Sequence, residues 1–175
     1  MKTLLTTVLS FTVFSVSAAV YNSDGTVQNI QAIHNNQAVD GDTIMVPAGT
    51  FSWTARLNIT KGITIQGQTT ISGAGTANPI INDGTIIRDN TPRSGEIGIL
   101  SAAIPPGKSF RFTGMTFVPG ATTAYPHNLE GAFHLGYQGA TPSVWNRIDH
   151  CDFASLYQSR IIWVGAGFTA WQTIM

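Results

Sequence analysis

The sequence predicts an all-β solenoid of short stacked strands, and two features predict it. The first is a pattern that occurs three times: Ile59-Thr60-Lys61-Gly62-Ile63-Thr64-Ile65, Phe112-Thr113-Gly114-Met115-Thr116-Phe117 and Ile148-Asp149-His150-Cys151-Asp152-Phe153. Each copy reads apolar, polar, one or two turn residues, then apolar, polar, apolar. Alternation at period two sends the apolar side chains to one side of a strand. A corner this short bends the chain without reversing it, and repeated bends with a continuous inner face make a solenoid. The second feature is a run of short strands, separated by Gly, Pro and Asn turns, from Gly41 onward. If the copies are equivalent, Ile63, Ile65, Met115, Phe117, Cys151 and Phe153 line one interior, and Thr64, Thr116 and Asp152 face solvent.

In chain order, residues 1–19 read as a secretory signal peptide. Lys2 gives a positive start, Leu4 to Val16 is apolar apart from Thr and Ser, and Ser17, Ala18 and Ala19 are small. That layout places cleavage after Ala18 or Ala19 and predicts a secreted protein, extracellular or periplasmic. The apolar run is shorter than the ~20 residues a membrane span needs, and no later stretch is long enough. Residues 20–175 form the mature β domain. Tyr21 to Gly25 reads as a polar turn. Thr26 to Ala38 reads as a short helix with Val27, Ile30 and Ile33 on one stripe, capped by Thr26 or Asp24. Its stripe suits a lid on the open end of a solenoid, which otherwise exposes apolar surface and strand edges.

Strands follow at Thr43 to Val46, Thr50 to Trp53, Leu57 to Ile59, Ile63 to Ile65 and Thr69 to Ile71. Weaker ones are Ile80-Ile81, Thr85 to Ile87 and Glu96 to Leu100, with a turn at Asn82-Asp83-Gly84. Ser109 to Val118, Ala132 to Leu135, Trp145 to Phe153 and Ile161 to Val164 complete the set. The three copies are unevenly spaced, which places insertions at Thr91 to Gly107 and Pro119 to Glu130.

Composition removes several functions. Only 10% of residues are charged, against about 25% in an average domain. Lys+Arg and Asp+Glu balance at nine each, and no basic stripe appears, so nucleic-acid binding is unsupported. The single cysteine, Cys151, excludes an internal disulfide framework and reads as a small buried hydrophobe.

Gly41-Asp42-Thr43-Ile44-Met45-Val46-Pro47-Ala48-Gly49-Thr50-Phe51, placed after a capping helix, resembles the first coil of right-handed parallel β-helix proteins of the pectate-lyase-like group. Arg147 to Phe153 with Arg160 to Gly165 resembles their middle coils. The resemblance implies a right-handed parallel β-helix with a short N-terminal capping helix, and extracellular polysaccharide as partner. It implies a lyase or glycoside hydrolase of acidic glycans, or a non-catalytic surface or adhesion scaffold, since fold alone does not choose. Members of the group run to more coils than this chain holds. The chain therefore reads as an N-terminal portion with C-terminal coils missing, an inactive and aggregation-prone fragment.

A lyase of this group needs carboxylates to hold Ca2+ and a basic residue to take the C5 proton of a uronate. Asp149 and Asp152 are the candidate metal ligands, and Arg160 and Arg147 the candidate catalytic cations. The same residues also read as a solvated corner with structural ion pairs. A glycosidase needs two carboxyl groups about 5–10 Å apart, and Asp83, Asp89, Glu96 and Glu130 are available. His134 reads as solvated surface, and His127 and His34 as loop and helix surface. Trp53, Trp145, Trp163 and Tyr137 could stack on sugar rings, but aromatic rings in such folds also fill the core, which is the favoured reading for each Trp.

Overall fold

Thr26 starts the one helix among the described residues of a computed structural model, which describes residues 17–92, 98–120, 132–137, 145–153, 162–164 and 173–174. Its hydroxyl accepts from Asn29 N at 3.2 Å, satisfying one of the amides a helix start leaves unpaired. Asp24 Oδ1 in turn accepts from Thr26 N at 2.8 Å and from its hydroxyl at 2.7 Å. Helix α1 spans Val27–Asn36 and buries Val27, Ile30, Ile33 and His34. Its C-terminal carbonyls are closed from outside. Lys61 Nζ donates to His34 O at 2.5 Å, Ala38 O at 2.8 Å and Asn35 O at 3.3 Å, a cation at the negative end of the helix dipole.

The burial of His34 corrects the surface placement expected from sequence. Its Nε2 accepts from Thr60 N at 3.1 Å, so Nδ1 carries the proton toward Asn35 Oδ1 at 2.7 Å. Burial pushes its pKa down, a hydrogen bond to Asn35 opposes this, and the Lys61 charge reinforces it. The unfolded chain therefore takes a proton near pH 6.5 that the folded chain refuses, so stability is present above that pH and falls as pH drops below it. Wild type should lose more stability than His34→Gln between pH 7.5 and 5.5. Parallel denaturant midpoints in the two proteins would show that His34 is not the group responsible.

The rest of the described chain is mostly β with parallel strands. The strands are β1 Val20–Asn22, β2 Thr43–Met45, β3 Gly49–Trp53, β4 Leu57–Ile59, β5 Thr64–Gln66, β6 Thr70–Ser72, β7 Ile80–Asn82 and β8 Thr85–Asp89. They continue with β9 Leu100–Ile104, β10 Ser109–Thr113, β11 Thr116–Pro119, β12 Phe133–Tyr137, β13 Trp145–Asp149, β14 Asp152–Phe153, β15 Ile162–Val164 and β16 Thr173–Ile174. A first sheet has the order β1-β2-β5-β10-β13-β16, a second β14-β11-β8-β3 and a third β15-β12-β9-β4. Every pairing in these three is parallel, and only the β6-β7 hairpin is antiparallel. The chain meets the sheets in a fixed order: β2, β3, β4, then β5, β8, β9, then β10, β11, β12, then β13, β14, β15.

Like residues stack in register along each sheet. Ile44, Ile65, Phe112 and Ile148 form one row, Phe51, Ile87, Phe117 and Phe153 a second, and Leu57, Leu100, Phe133 and Ile162 a third. The buried members belong to one hydrophobic cluster fed by all three sheets. Each fully buried side chain of this size contributes about 1.5–3 kcal/mol. Trp53, wholly buried, fills the core and donates from Nε1 to Gly25 O at 3.1 Å, tying the segment before α1 to β3.

Several expectations need correction. The second and third copies are equivalent, since Phe112 pairs with Ile148 and Phe117 with Phe153. The first is not, because Ile65 pairs with Phe112, not with Phe117. Lys61-Gly62 bends the chain into the first sheet, whereas Thr113-Gly114 bends it out. Ile63, Ile65, Met115 and Phe117 are nevertheless buried, and Cys151 and Phe153 half-buried against the same core. Thr116 does not face solvent. It is buried, donates to Asp83 Oδ1 at 2.6 Å and lies 3.2 Å from Thr69 Oγ1. Tyr21 and Asn22 are strand, not turn, because β2 offers a free edge. Thr91 to Gly107 is not all insertion, since β9 lies within it and joins β4 to β12. The excursion between β5 and β8 instead carries the β6-β7 hairpin, whose Ile80 and Ile81 are exposed.

Candidate functional site

The outer face of the first sheet follows from the pleat. With Ile44, Ile65, Phe112 and Ile148 pointing inward, the residues immediately before and after them point out. Thr43, Thr64, Arg111 and Arg147 therefore stand in one outer row, and Met45, Gln66, Thr113 and Asp149 in the next. Arg111 and Arg147 lie on adjacent strands, about 4.8 Å apart along the row. Both turn toward Asp149. Arg111 Nε donates to Oδ1 at 3.0 Å and its Nη2 to Oδ2 at 2.8 Å, a two-pronged contact. Arg147 Nη2 meets Oδ2 at 2.7 Å and His150 Nδ1 meets it at 3.2 Å.

The two guanidiniums remain partly open, with 38% and 47% of their side chains exposed against 13% for Asp149, so their free edges reach solvent. Burial opposes ionisation of Asp149 but is outweighed by hydrogen bonds from Arg111 and Thr113 and by the charges of Arg111 and Arg147. Its carboxyl is held well below the ordinary carboxylate range. The hydrogen bond to Asp149 likewise holds Arg111 in its charged form, against a smaller effect of burial. Beside the arginines lies a cleft of about 300 Å³ bordered by Gly41, Gly62, Thr64, Ser109, Arg111 and Arg147. Lys108, paired with Asp40 at 3.1 Å, stands near its rim. The cleft thus carries more positive than negative side chains, in a chain whose overall balance is zero.

Arg147 and Asp149 lie in contact, and Asp152 lies one corner further on, in β14 beside Thr116. Arg160, Glu96, Glu130 and His127 lie outside the described residues, as do residues 1–16 of the segment expected to be a leader; the side chains of Trp145, Trp163 and Tyr137 are likewise not described. Asp149 and Asp152 were the expected Ca2+ ligands, and what the structure describes around Asp149 is cationic. That ion takes six to eight oxygens, and the oxygens of Asp149 already face two guanidiniums. Among the described residues no group of three His, Cys, Asp or Glu is placed to hold a metal. Asp83 is engaged by Thr116, and Asp89 is wholly buried and accepts from Thr91 N at 3.1 Å. His134 is half-buried in β12. Burial pushes the Cys151 thiol up to about 12, which leaves it an unreactive packing group.

Sequence reasoning missed Arg111. Its one signal was position: Arg111 precedes Phe112 as Arg147 precedes Ile148, so two copies of the corner carry arginine at the same outer place. No helix among the described residues is long and apolar enough to cross a membrane. A scan against models of protein families, a search of curated proteins and a search of solved structures each find no match.

Proposed function

We propose that this chain is a secreted parallel β-helix of the pectate-lyase-like kind that binds acidic extracellular polysaccharide on the outer face of its first sheet. Three parallel sheets met in a fixed order support the fold reading, together with the Gly41 to Phe51 stretch after a capping helix. The observation that carries the function is the pair Arg111 and Arg147, stacked on adjacent strands and braced by Asp149 beside an open cleft. Braced guanidiniums lose less freedom on binding than free ones, and their planar forks match carboxylates. A uronate chain presents a carboxylate on each sugar, so a row of cations along a sheet matches a repeated anion. Arginine stays protonated, which suits holding an anion and works against taking a proton, so binding is favoured over lyase chemistry.

The test is calorimetric titration with polygalacturonate, alginate and neutral dextran. The acidic polymers should bind, more weakly at raised salt, and dextran should not. Arg147→Ala should weaken binding about tenfold, or ~1.4 kcal/mol, and leaves the Arg111–Asp149 contact in place. Equal binding of dextran, or no effect of Arg147→Ala, would overturn the proposal. Absorbance of unsaturated product, with and without Ca2+, reports in the same samples whether bound polymer is also cleaved.

A further inference from the structure

Asp42 is a buried carboxylate, 2% exposed, whose partners among the described residues are main-chain amides. Its Oδ1 accepts from Ala19 N at 2.7 Å and its Oδ2 from Val39 N at 2.7 Å. Nearby charges are committed elsewhere. Asp40 takes the Gly62 N–H at 2.7 Å and pairs with Lys108, and Lys61 closes the carbonyls of α1. A buried carboxylate without a counter-ion is costly. Ala19 is also part of the sheet frame, since its carbonyl accepts from Thr43 N at 2.8 Å just before β1 begins. Ser17 and Ala18 are exposed.

The small residues fit two cleavage bonds. By residue size alone Ser17-Ala18-Ala19 is the better pattern, which favours release of a chain starting at Val20. The fold argues for the other bond. A chain starting at Val20 loses the Ala19 amide that meets Asp42 and the Ala19 carbonyl that meets Thr43. A chain starting at Ala19 keeps both and gains a positive charge where the buried carboxylate points.

Resting on the reading of the chain as secreted, we propose that a leader peptidase of the export machinery hydrolyses the Ala18–Ala19 bond, and that the new ammonium of Ala19 is the counter-ion of Asp42. In that step the Ala18 C–N bond breaks and water adds. Its oxygen completes the Ala18 carboxylate, and its protons leave the Ala19 nitrogen as an ammonium. The nitrogen needs no displacement, because 2.7 Å is already the length of a charge-assisted N–H···O contact. Processing therefore completes the first coil as well as freeing it.

The full chain, leader included, is expressed in an exporting host, and the secreted product is read by intact mass and N-terminal sequencing. The expected first residue is Ala19; a product starting at Val20 overturns the proposal alone, and one that keeps Met1 overturns the secretion reading and the proposal with it. The counter-ion is tested by the pH dependence of α-amine acetylation in the native protein and in Asp42→Asn. An isolated α-amine titrates near pH 7.7–8.0, and here the midpoint should lie about one pH unit higher in wild type than in the variant. Equal midpoints would remove the ion pair. If Asp42→Asn does not fold, a chain released at Val20 by a site-specific protease replaces it. That chain should unfold at lower denaturant than the Ala19 chain, and equal midpoints would again count against the proposal.

Discussion

Phe117→Ala is expected to destabilise the protein by about 3–5 kcal/mol, the range for deleting a fully packed aromatic ring. Phe117 is wholly buried. Its ring stands edge-on to Phe133 with centroids 4.9 Å apart, stacks on Phe153 at 5.3 Å and lies 5.8 Å from Phe112. Phe112 belongs to the first sheet, Phe117 and Phe153 to the second and Phe133 to the third. The cavity would therefore open where the three sheets meet, and no single strand can move in to fill it. Ile81→Ala is the control, since Ile81 is 40% exposed on the hairpin and its loss should change stability by less than about 0.5 kcal/mol. Chemical denaturation of the three proteins decides the matter. A Phe117→Ala midpoint near that of wild type would mean the ring is not packed as described.

Gly67→Ala is expected to cost about 3 kcal/mol, the upper end of what a single overpacked position produces. Gly67 forms the corner between the first and second sheets. Its N–H donates to Thr113 O at 2.9 Å, and Thr69 N donates to Gly114 O at 2.8 Å. A Cβ at Gly67 would stand 2.2 Å from Gly114 O, 2.7 Å from Met115 Cγ and 3.0 Å from Thr85 Cβ. Backbone oxygen cannot yield as a flexible side chain can, so the corner must open. The next pass turns at Gly114, with φ +73°, and the one after at His150, with φ 51°. His150 touches Asp149, so the same corner geometry supports the brace under Arg111 and Arg147. Thermal unfolding measures the cost, and an unchanged midpoint would show that successive corners are not in contact.

The candidate site was half legible. Asp149 and Arg147 stand in a dense ionisable run that sequence inspection finds at once. Arg111 lies 38 residues before Asp149, and nothing local joins them, because parallel pairing brings together residues a whole pass apart. The role of Asp149 was equally hidden. A carboxylate in a polar corner reads alike as a metal ligand or an ion-pair partner until the cations around it are placed.

By itself the sequence determined what depends on neighbours a few residues away. Apolar alternation marks Ile65, Phe112 and Phe117 as inward, because the pleat has a fixed period of two. Thr26 and Asp24 mark the start of α1, because a cap bonds amides within one turn. Tertiary structure alone decided register and the environment of polar groups. Lys61-Gly62 and Thr113-Gly114 look alike as short corners, yet they bend at different edges of the first sheet, since the hairpin and loops between passes shift the count without changing the local pattern. His34 and Thr116 look solvated in sequence. One is buried by Thr60 and Lys61, the other by Thr69 and Asp83, and each of these partners reaches it only when distant strands pair, which is where a buried polar group must find its hydrogen bonds.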